Sequence, residues 1–286
     1  MRRGGLPGHM AKARRIAREK LGLVDVVLEV VDARAPLATH SLEAESLGQR
    51  KPRLVVMTHG DLAAHQSTAL WLDYWQGRGL IAFAVDAVRG DGVGQLKAHL
   101  KGMGQELNKR LATRGRRDRP LRAIVVGLPN VGKSSLLNRL TRGKAKARTG
   151  AKPGITRGEQ WLRSGNIELL DLPGMLPVQA GDDTMGLIMA SVGILPLDRF
   201  DALELVTWLL EEGLASRADE LAQGVGIPYQ PGKEREFMSA FALSRGRLGS
   251  GGEPELEDAA LLFVRGLQQG KWGRFTLEEP PEETRS

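Results

Sequence analysis

The chain has 286 residues and no cysteine. That absence excludes a disulfide framework and any thiolate zinc site, and it fits a reducing compartment, so a cytoplasmic location is expected. Long apolar runs are also missing. None approaches the roughly 20 residues that cross a bilayer, so no membrane partner is expected. The basic amino-terminal start is not followed by an apolar core, which excludes a secretory signal. Aromatic residues are scarce, with five Trp, two Tyr and six Phe. A surface that reads single-stranded RNA by stacking is therefore not expected, whereas backbone and shape recognition of folded RNA remains open. No internal repeat is evident.

Positive charge is plentiful but uneven. The net charge is +7. Residues 1–20 carry seven basic side chains against Glu19 alone, and residues 101–122 carry eight against Glu106 and Asp118. Glu278 to Glu283 form an acidic end. Basic clusters of this kind are either solvated faces or attract a phosphate backbone.

The chemistry sits between these clusters. Ala123-Ile124-Val125-Val126 reads as a buried strand, and Ser135 to Leu140 has helical spacing. Between them lies Gly127-Leu128-Pro129-Asn130-Val131-Gly132-Lys133-Ser134, a phosphate-binding loop in its required strand–loop–helix context. Its backbone N–H groups, including those of Val131, Gly132 and Ser135, curl round phosphates, and the helix start adds a positive dipole end. Lys133 reaches the β- and γ-phosphates, and Ser134 puts its hydroxyl on Mg²⁺. Downstream, Ile167 to Leu170 leads into Asp171-Leu172-Pro173-Gly174. A strand ending in Asp with Gly three residues on places Asp171 on Mg²⁺ and the Gly174 N–H at the γ-phosphate. Between the two, Pro153-Gly154-Ile155-Thr156 lies in a loop rich in Gly, Lys and Pro; Thr156 is the candidate switch threonine for Mg²⁺ and the γ-phosphate.

The base-reading elements come earlier in the chain. Leu54 to Met57 is a second buried strand ending in Thr58-His59-Gly60-Asp61, where GTPases usually carry Asn-Lys-x-Asp. A carboxylate at Asp61 accepts from the guanine N1–H and amino group, a pair that adenine cannot offer. Thr58 replaces an amide, and His59 replaces a cation with a ring that is mostly neutral at pH 7. A third strand, Leu80 to Val85, ends in Asp86-Ala87, where a backbone N–H reads guanine O6. In an ordinary GTPase the phosphate loop precedes the base motif. Here Thr58 to Asp61 precede Gly127 to Ser134, so the chain reads as a circularly permuted P-loop GTPase domain: α/β, with a mostly parallel sheet and helices on both faces.

The whole chain resembles the circularly permuted ribosome-assembly GTPases of the RbgA/YlqF family. The resemblance rests on Pro7-Gly8-His9-Met10-Ala11-Lys12-Ala13 near the start, Asp32-Ala33-Arg34-Ala35-Pro36 after the first strand, and Gly270-Lys271-Trp272-Gly273-Arg274-Phe275-Thr276-Leu277-Glu278 near the end. The first of these argues that the Arg-rich start is mature protein and not an organelle transit peptide. Thr58, His59 and Asp86 depart from the family pattern. The resemblance implies GTP hydrolysis coupled to late maturation of the large ribosomal subunit, with the subunit, its rRNA and GTP or GDP as partners and a monomer off the ribosome.

Met175 stands where many GTPases place a water-orienting Gln, so slow intrinsic turnover is expected. The family implies His9 as the group that orients water, which makes His9, Lys133, Thr156 and Gly174 the catalytic set. Asn130 resembles the K⁺-coordinating Asn of potassium-activated GTPases, and a cation there would supply the charge of an arginine finger. His40, His65 and His99 read as surface residues. The expected organisation is a basic arm over 1–20, the permuted GTPase domain over 21–184 with a basic connection at 101–120, and an all-α region over 185–286. The alternative function is a nucleotide-dependent RNA- or ribosome-binding protein with weak or vestigial hydrolysis.

Overall fold

A computed structural model of the chain describes residues 15–141, 160–172 and 183–281. His9, Thr156, Gly174 and Met175 lie outside the described residues. Six strands form one sheet: β1 (Val26–Asp32), β2 (Arg53–Thr58), β3 (Ile81–Ala84), β4 (Leu121–Val126), β5 (Gln160–Ser164) and β6 (Ile167–Asp171). Their spatial order is β3-β2-β1-β4-β6-β5. All neighbours run parallel except β5, which is antiparallel to β6.

Every residue of β1 is buried, as expected of a central parallel strand covered on both faces. Its neighbour β2 divides its side chains by period two. Leu54 and Val56 join one core, and Val55 and Met57 join the other. Four helices cover the sheet: α1 (Leu42–Gly48), α2 (His65–Gly77), α3 (Val93–Ala112) and α4 (Lys133–Leu140). Trp71, Tyr74 and Trp75 of α2 fill one face. Leu96 and Leu100 of α3, with Leu136, Leu137 and Leu140 of α4, fill the other.

The expected basic connection at 101–120 is largely helix. Buried Leu96, Leu100 and Gly104 anchor α3 as far as Ala112, and only 113–120 cross irregularly to β4. Beyond the sheet the chain is helical: α5 (Asp183–Ser191), α6 (Ala202–Trp208) continued by a π-turn at Leu209–Gly213, α7 (Ala218–Val225), α8 (Glu234–Ser244) and α9 (Leu256–Gln268). Phe237, Phe241, Phe263 and Trp272 centre this third core. Helix α5 feeds both sides, with Ile188 and Met189 in the sheet core and Ala190 in the helical one. The segment after α9 returns to α2. Phe275 N–H donates to the Leu62 carbonyl (2.9 Å), and the Trp71 indole N–H donates to the Glu278 carbonyl (3.0 Å). Among the described residues no helix is long and apolar enough to cross a membrane.

One expectation needs correction here. His40 is not a surface residue: its Nδ1 lies 2.7 Å from the carboxylate of Glu29, which is fully buried in β1 and also accepts from Ser41 N–H and Arg53. Burial lowers the His40 pKa, but the Glu29 partner outweighs it and the net shift is upward. Glu278, at the start of the acidic end, turns inward: its carboxylate accepts the Leu37 and Ala38 N–H groups at 2.8 and 3.0 Å. Burial pushes its pKa up to about 7 against those two amides.

Candidate nucleotide-binding site

The sheet order reverses between β1 and β4. From β1 the chain moves outward through β2 and β3, and from β4 it moves the other way, to β5 at the edge and back to β6. Crevices at the carboxyl ends of strands beside such a reversal are where open α/β sheets bind ligands. The loops after β4, β2, β3 and β6 all open at that end.

The loop after β4 depends on two glycines. Gly127 has φ +155°, and a Cβ there would strike the Val30 carbonyl of β1. Gly132 has φ +87° and sits at the N-cap of α4, where a Cβ would lie 3.3 Å from Thr58. Both need conformations that favour glycine, and they turn the backbone sharply into the helix start. Asn130 also takes a left-handed φ of +62°, which Asn tolerates. Its Nδ2 donates to the Gly193 carbonyl just beyond α5, at 3.3 Å. Val131 is buried, and Ser134 and Ser135 are half-buried on the first turn of α4.

Lys133 is buried, and its Nζ donates to the Gly127 carbonyl at 3.0 Å and to the Leu128 carbonyl. Burial pulls its pKa down to about 8, against the attraction of Asp171. Asp171 ends β6 and is also buried. Burial pushes its carboxyl up to about 6, with Lys133 pulling the other way. Its Oδ2 is buried and has no hydrogen-bond partner among the described residues. A buried carboxylate oxygen without a donor, beside a phosphate loop, is a hard-oxygen ligand of the kind Mg²⁺ takes.

The base-side loop after β2 is tied to the phosphate loop. The Thr58 hydroxyl lies 2.9 Å from the Val31 carbonyl and 2.5 Å from the Val131 carbonyl. Its single proton serves one of them at a time. Thr58 thus makes the tie between base strand and phosphate loop without an amide. His59 has φ +56°, and its Nδ1 lies 2.8 Å from Asp32 Oδ2. The Gly60 N–H donates to the Val85 carbonyl and so fixes the loop against the end of β3. Asp61 is half-buried, and its carboxylate makes no hydrogen bond or ion pair among the described residues. At the third loop the Asp86 N–H donates to the Asp91 carbonyl, while its carboxylate accepts from the Val88 and Arg89 N–H groups. The Ala87 N–H has no acceptor among the described residues. It is therefore the open donor of the pair.

Sequence reading gave no role to the charged pair behind His59. Asp32 is fully buried at the end of β1 and takes a two-pronged contact from Arg34, Nε to Oδ1 at 2.9 Å and Nη2 to Oδ2 at 2.7 Å. Burial alone would raise the Asp32 pKa, but Arg34 and His59 outweigh it and hold the carboxyl well below the usual range. The same guanidinium donates to the carbonyls of Val192 and Gln268. An Asp-x-Arg closing an apolar strand was the available signal, since a carboxylate at a buried strand end requires a cation.

Strand order, phosphate loop, orphaned Asp171 oxygen and base-side loop define a P-loop nucleotide-binding protein of the GTPase class in permuted chain order. The family model described as 50S ribosome-binding GTPase matches residues 122–223, beginning just before the phosphate loop. The chain is 37% identical over 278 residues to Ribosome biogenesis GTPase A of Priestia megaterium, covering 96% of each. It is 33% identical over 280 residues to Ribosome biogenesis GTPase A of Thermotoga maritima, covering 97% of this chain and 95% of that one. The crystal structure of GNP-bound YlqF from T. maritima is similar with a TM-score of 0.64 at 29% identity, covering 94% of this chain and 98% of the other. The chain belongs to the ribosome biogenesis GTPase A family, RbgA/YlqF.

Proposed function

We propose that this chain binds and hydrolyses GTP as a cytoplasmic assembly factor in late maturation of the large ribosomal subunit, contacting its rRNA and remaining a monomer off the ribosome. One juxtaposition carries the reading. The phosphate loop, the donor-free Asp171 oxygen and the free Asp61 carboxylate open at the same end of one sheet. The names of the relatives supply the ribosomal context. The proposed organisation is an arm over 1–20, a GTPase domain over 21–184 and a helical region over 185–286, whose docking to ribosomal RNA follows the family.

Ser134, Asp171 and Thr156 would hold Mg²⁺, which when bound neutralises charge developing on the transferred phosphoryl group. Lys133 exchanges its two loop carbonyls for phosphate oxygens, and the Val131, Gly132, Ser134 and Ser135 amides cradle them. Asp61 selects guanine, His59 stacks on the purine, and at the Asp86-Ala87 loop the Ala87 N–H meets O6, since the Asp86 N–H is taken by the Asp91 carbonyl. His9 orients water once RNA positions the arm, with the Gly174 N–H at the γ-phosphate. K⁺ at Asn130 is the optional activator, and the Asn130–Gly193 bond would have to yield to it.

A second reading, nucleotide-dependent RNA binding with vestigial hydrolysis, is favoured by the side chains at Thr58, His59 and Asp86. The deciding experiment is GTP and ATP turnover in K⁺ buffer, with and without large ribosomal subunits, for wild type and Lys133→Ala. GTP-selective turnover that rises with subunits and disappears in Lys133→Ala is the expected result. Subunit binding with no turnover of either nucleotide would replace it with the second reading.

A further inference from the structure

The end of the sheet opposite the nucleotide crevice collects cationic side chains for which the nucleotide chemistry has no use. A groove of about 690 Å³ runs along the first residues of β2 and β3, lined by Arg50, Lys51, Arg53 and Ile81 and, from α3, by His99 and Met103. It meets a second cavity of about 350 Å³, the two sharing Glu45, Arg53 and Leu80. The second cavity is lined by Tyr74, Trp75 and Arg78, and the Trp75 indole N–H, buried there, has no acceptor among the described residues.

Helix α3 descends beside this groove, and its end and the following turn continue the charge. Lys109, Arg110, Arg114, Arg116 and Arg117 are all exposed. From Lys101 to Lys109 the helix carries this edge over about 12 Å at 1.5 Å per residue. Counter-charges are few. Arg110 pairs with Glu106, Asp25 is occupied by Arg119, and Glu168 by Arg122. Arg114, Arg116 and Arg117 form no ion pair among the described residues. The connection that permutation requires, from β3 back to β4, is the part of the fold that bears this ridge.

We propose that the groove and the 109–117 ridge seat the phosphate backbone of folded ribosomal RNA, anchoring the protein by the pole that faces away from its nucleotide. This rests on the reading that the chain binds rRNA, and it specifies where. The occupant is RNA because Arg50 and Lys51 of the groove and Arg114, Arg116 and Arg117 of the ridge have no ion pair among the described residues, whereas Arg53 is held by Glu29. It is folded RNA because Tyr74 and Trp75 are almost wholly buried and cannot stack on splayed bases. Because β2, β3 and β4 run parallel, their first residues are a full strand length from the loops that hold nucleotide.

The test compares wild type with the triple variant Arg114→Glu, Arg116→Glu, Arg117→Glu. Affinity for purified large ribosomal subunits, and for rRNA extracted from them, is measured between about 50 and 200 mM salt. The expected result is a loss of at least tenfold, with the slope of log K against log salt reduced in magnitude by about 2 to 3. GTP and GDP affinities of the free protein stay within twofold of wild type, which shows that the variant is folded. The corresponding triple Lys variant keeps wild-type binding, because charge and not guanidinium geometry is required. A charge-reversed variant that binds as wild type does, with the same slope, overturns this location while leaving rRNA binding intact. Wild-type protein that binds neither subunits nor rRNA overturns the rRNA reading itself.

Discussion

Asp171→Asn should stabilise the protein when neither metal nor nucleotide is bound, although it disables the site. The Asp171 carboxyl is buried with one oxygen lacking a donor, and burial raises it from 3.8 to about 6 despite the nearby Lys133. At neutral pH the native state therefore carries an anion that costs about 3 kcal/mol relative to the unfolded chain, at 1.36 kcal/mol per pH unit. The sign follows from the raised value. Between 3.8 and 6 the native state binds the proton and the unfolded state does not. The stabilising contribution is complete below 3.8 and is lost as pH climbs through 6, with a slope of at most about 1.4 kcal/mol per pH unit. An amide removes the ionisation but brings an N–H that needs an acceptor, which takes back up to about 2 kcal/mol. The expected net gain is about 1 to 3 kcal/mol at pH 7.5, or about 2 to 6 °C in Tm for a chain of this size.

The assay is urea unfolding in chelator, without nucleotide, at pH 4 and pH 7.5 for both proteins. The advantage of the variant should be present at pH 7.5 and shrink towards zero at pH 4. Adding Mg²⁺ with GDP should stabilise the wild type by linkage and leave the variant nearly unchanged. A variant less stable than wild type at pH 7.5 in chelator, or one whose advantage is equal at both pH values, would refute the reasoning. It would mean that the buried oxygen is satisfied in solution and is not held ready for a cation.

Three further outcomes are expected. Thr58→Val strips the donor from the Val131 and Val31 carbonyls, so stability should fall by about 1 to 3 kcal/mol and GTP and GDP affinity should weaken together in calorimetric titration. Arg34→Met leaves Asp32 anionic and buried without its main partner, which should cost about 3 to 5 kcal/mol in urea unfolding; Asp32→Asn in the same chain should recover much of it, and a strictly additive double variant would deny the pairing. Glu278→Gln should be more stable than wild type at pH 8 by about 1 to 3 kcal/mol and lose that advantage at pH 5. The reason is that the raised Glu278 pKa means stability is lost as pH rises from 4.5 through 7, and thermal melts at the two pH values read the difference.

What the sequence disclosed and what it hid divide along a physical line. The five parallel strands were legible as short apolar runs, whereas β5 is an antiparallel edge strand with mostly exposed residues. The phosphate loop was legible because its glycines, Lys133 and Ser134 act through local backbone geometry. The helical character of the region after the sheet was legible as well. The partners of isolated polar residues were hidden. Glu29 interrupts an otherwise apolar strand, and its three donors come from His40, Ser41 and Arg53, so a histidine that reads as solvent-facing is drawn inward by a carboxylate eleven residues away. Glu278 reads as the start of an acidic end, and only the returning chain shows that it serves the Leu37 and Ala38 amides. The helix within the basic connection at 101–120 was hidden, because exposed basic residues mask the apolar stripe of Leu96, Leu100 and Gly104.

Permutation explains why the hidden contacts gather where they do. In this chain β1 begins the sheet while its spatial neighbour β4 is reached only after α3, so no local connection fixes the loop after β1 to the loop after β4. The fold fixes them by side chains. Thr58 joins the base-side loop to the phosphate loop across 73 residues. Arg34 joins the end of β1 to Val192 and Gln268 across 158 and 234 residues. Asn130 joins the phosphate loop to Gly193, the residue next to Val192. The turn after α5 is thus held by a carbonyl contact to each side of the nucleotide crevice, and Asp32 holds His59 from behind the same cluster. The buried members of this set are the neutral Thr58–Val131 bond and the charge-assisted Arg34–Val192 bond. Such bonds are costly to break singly, because each leaves a buried polar group without its partner.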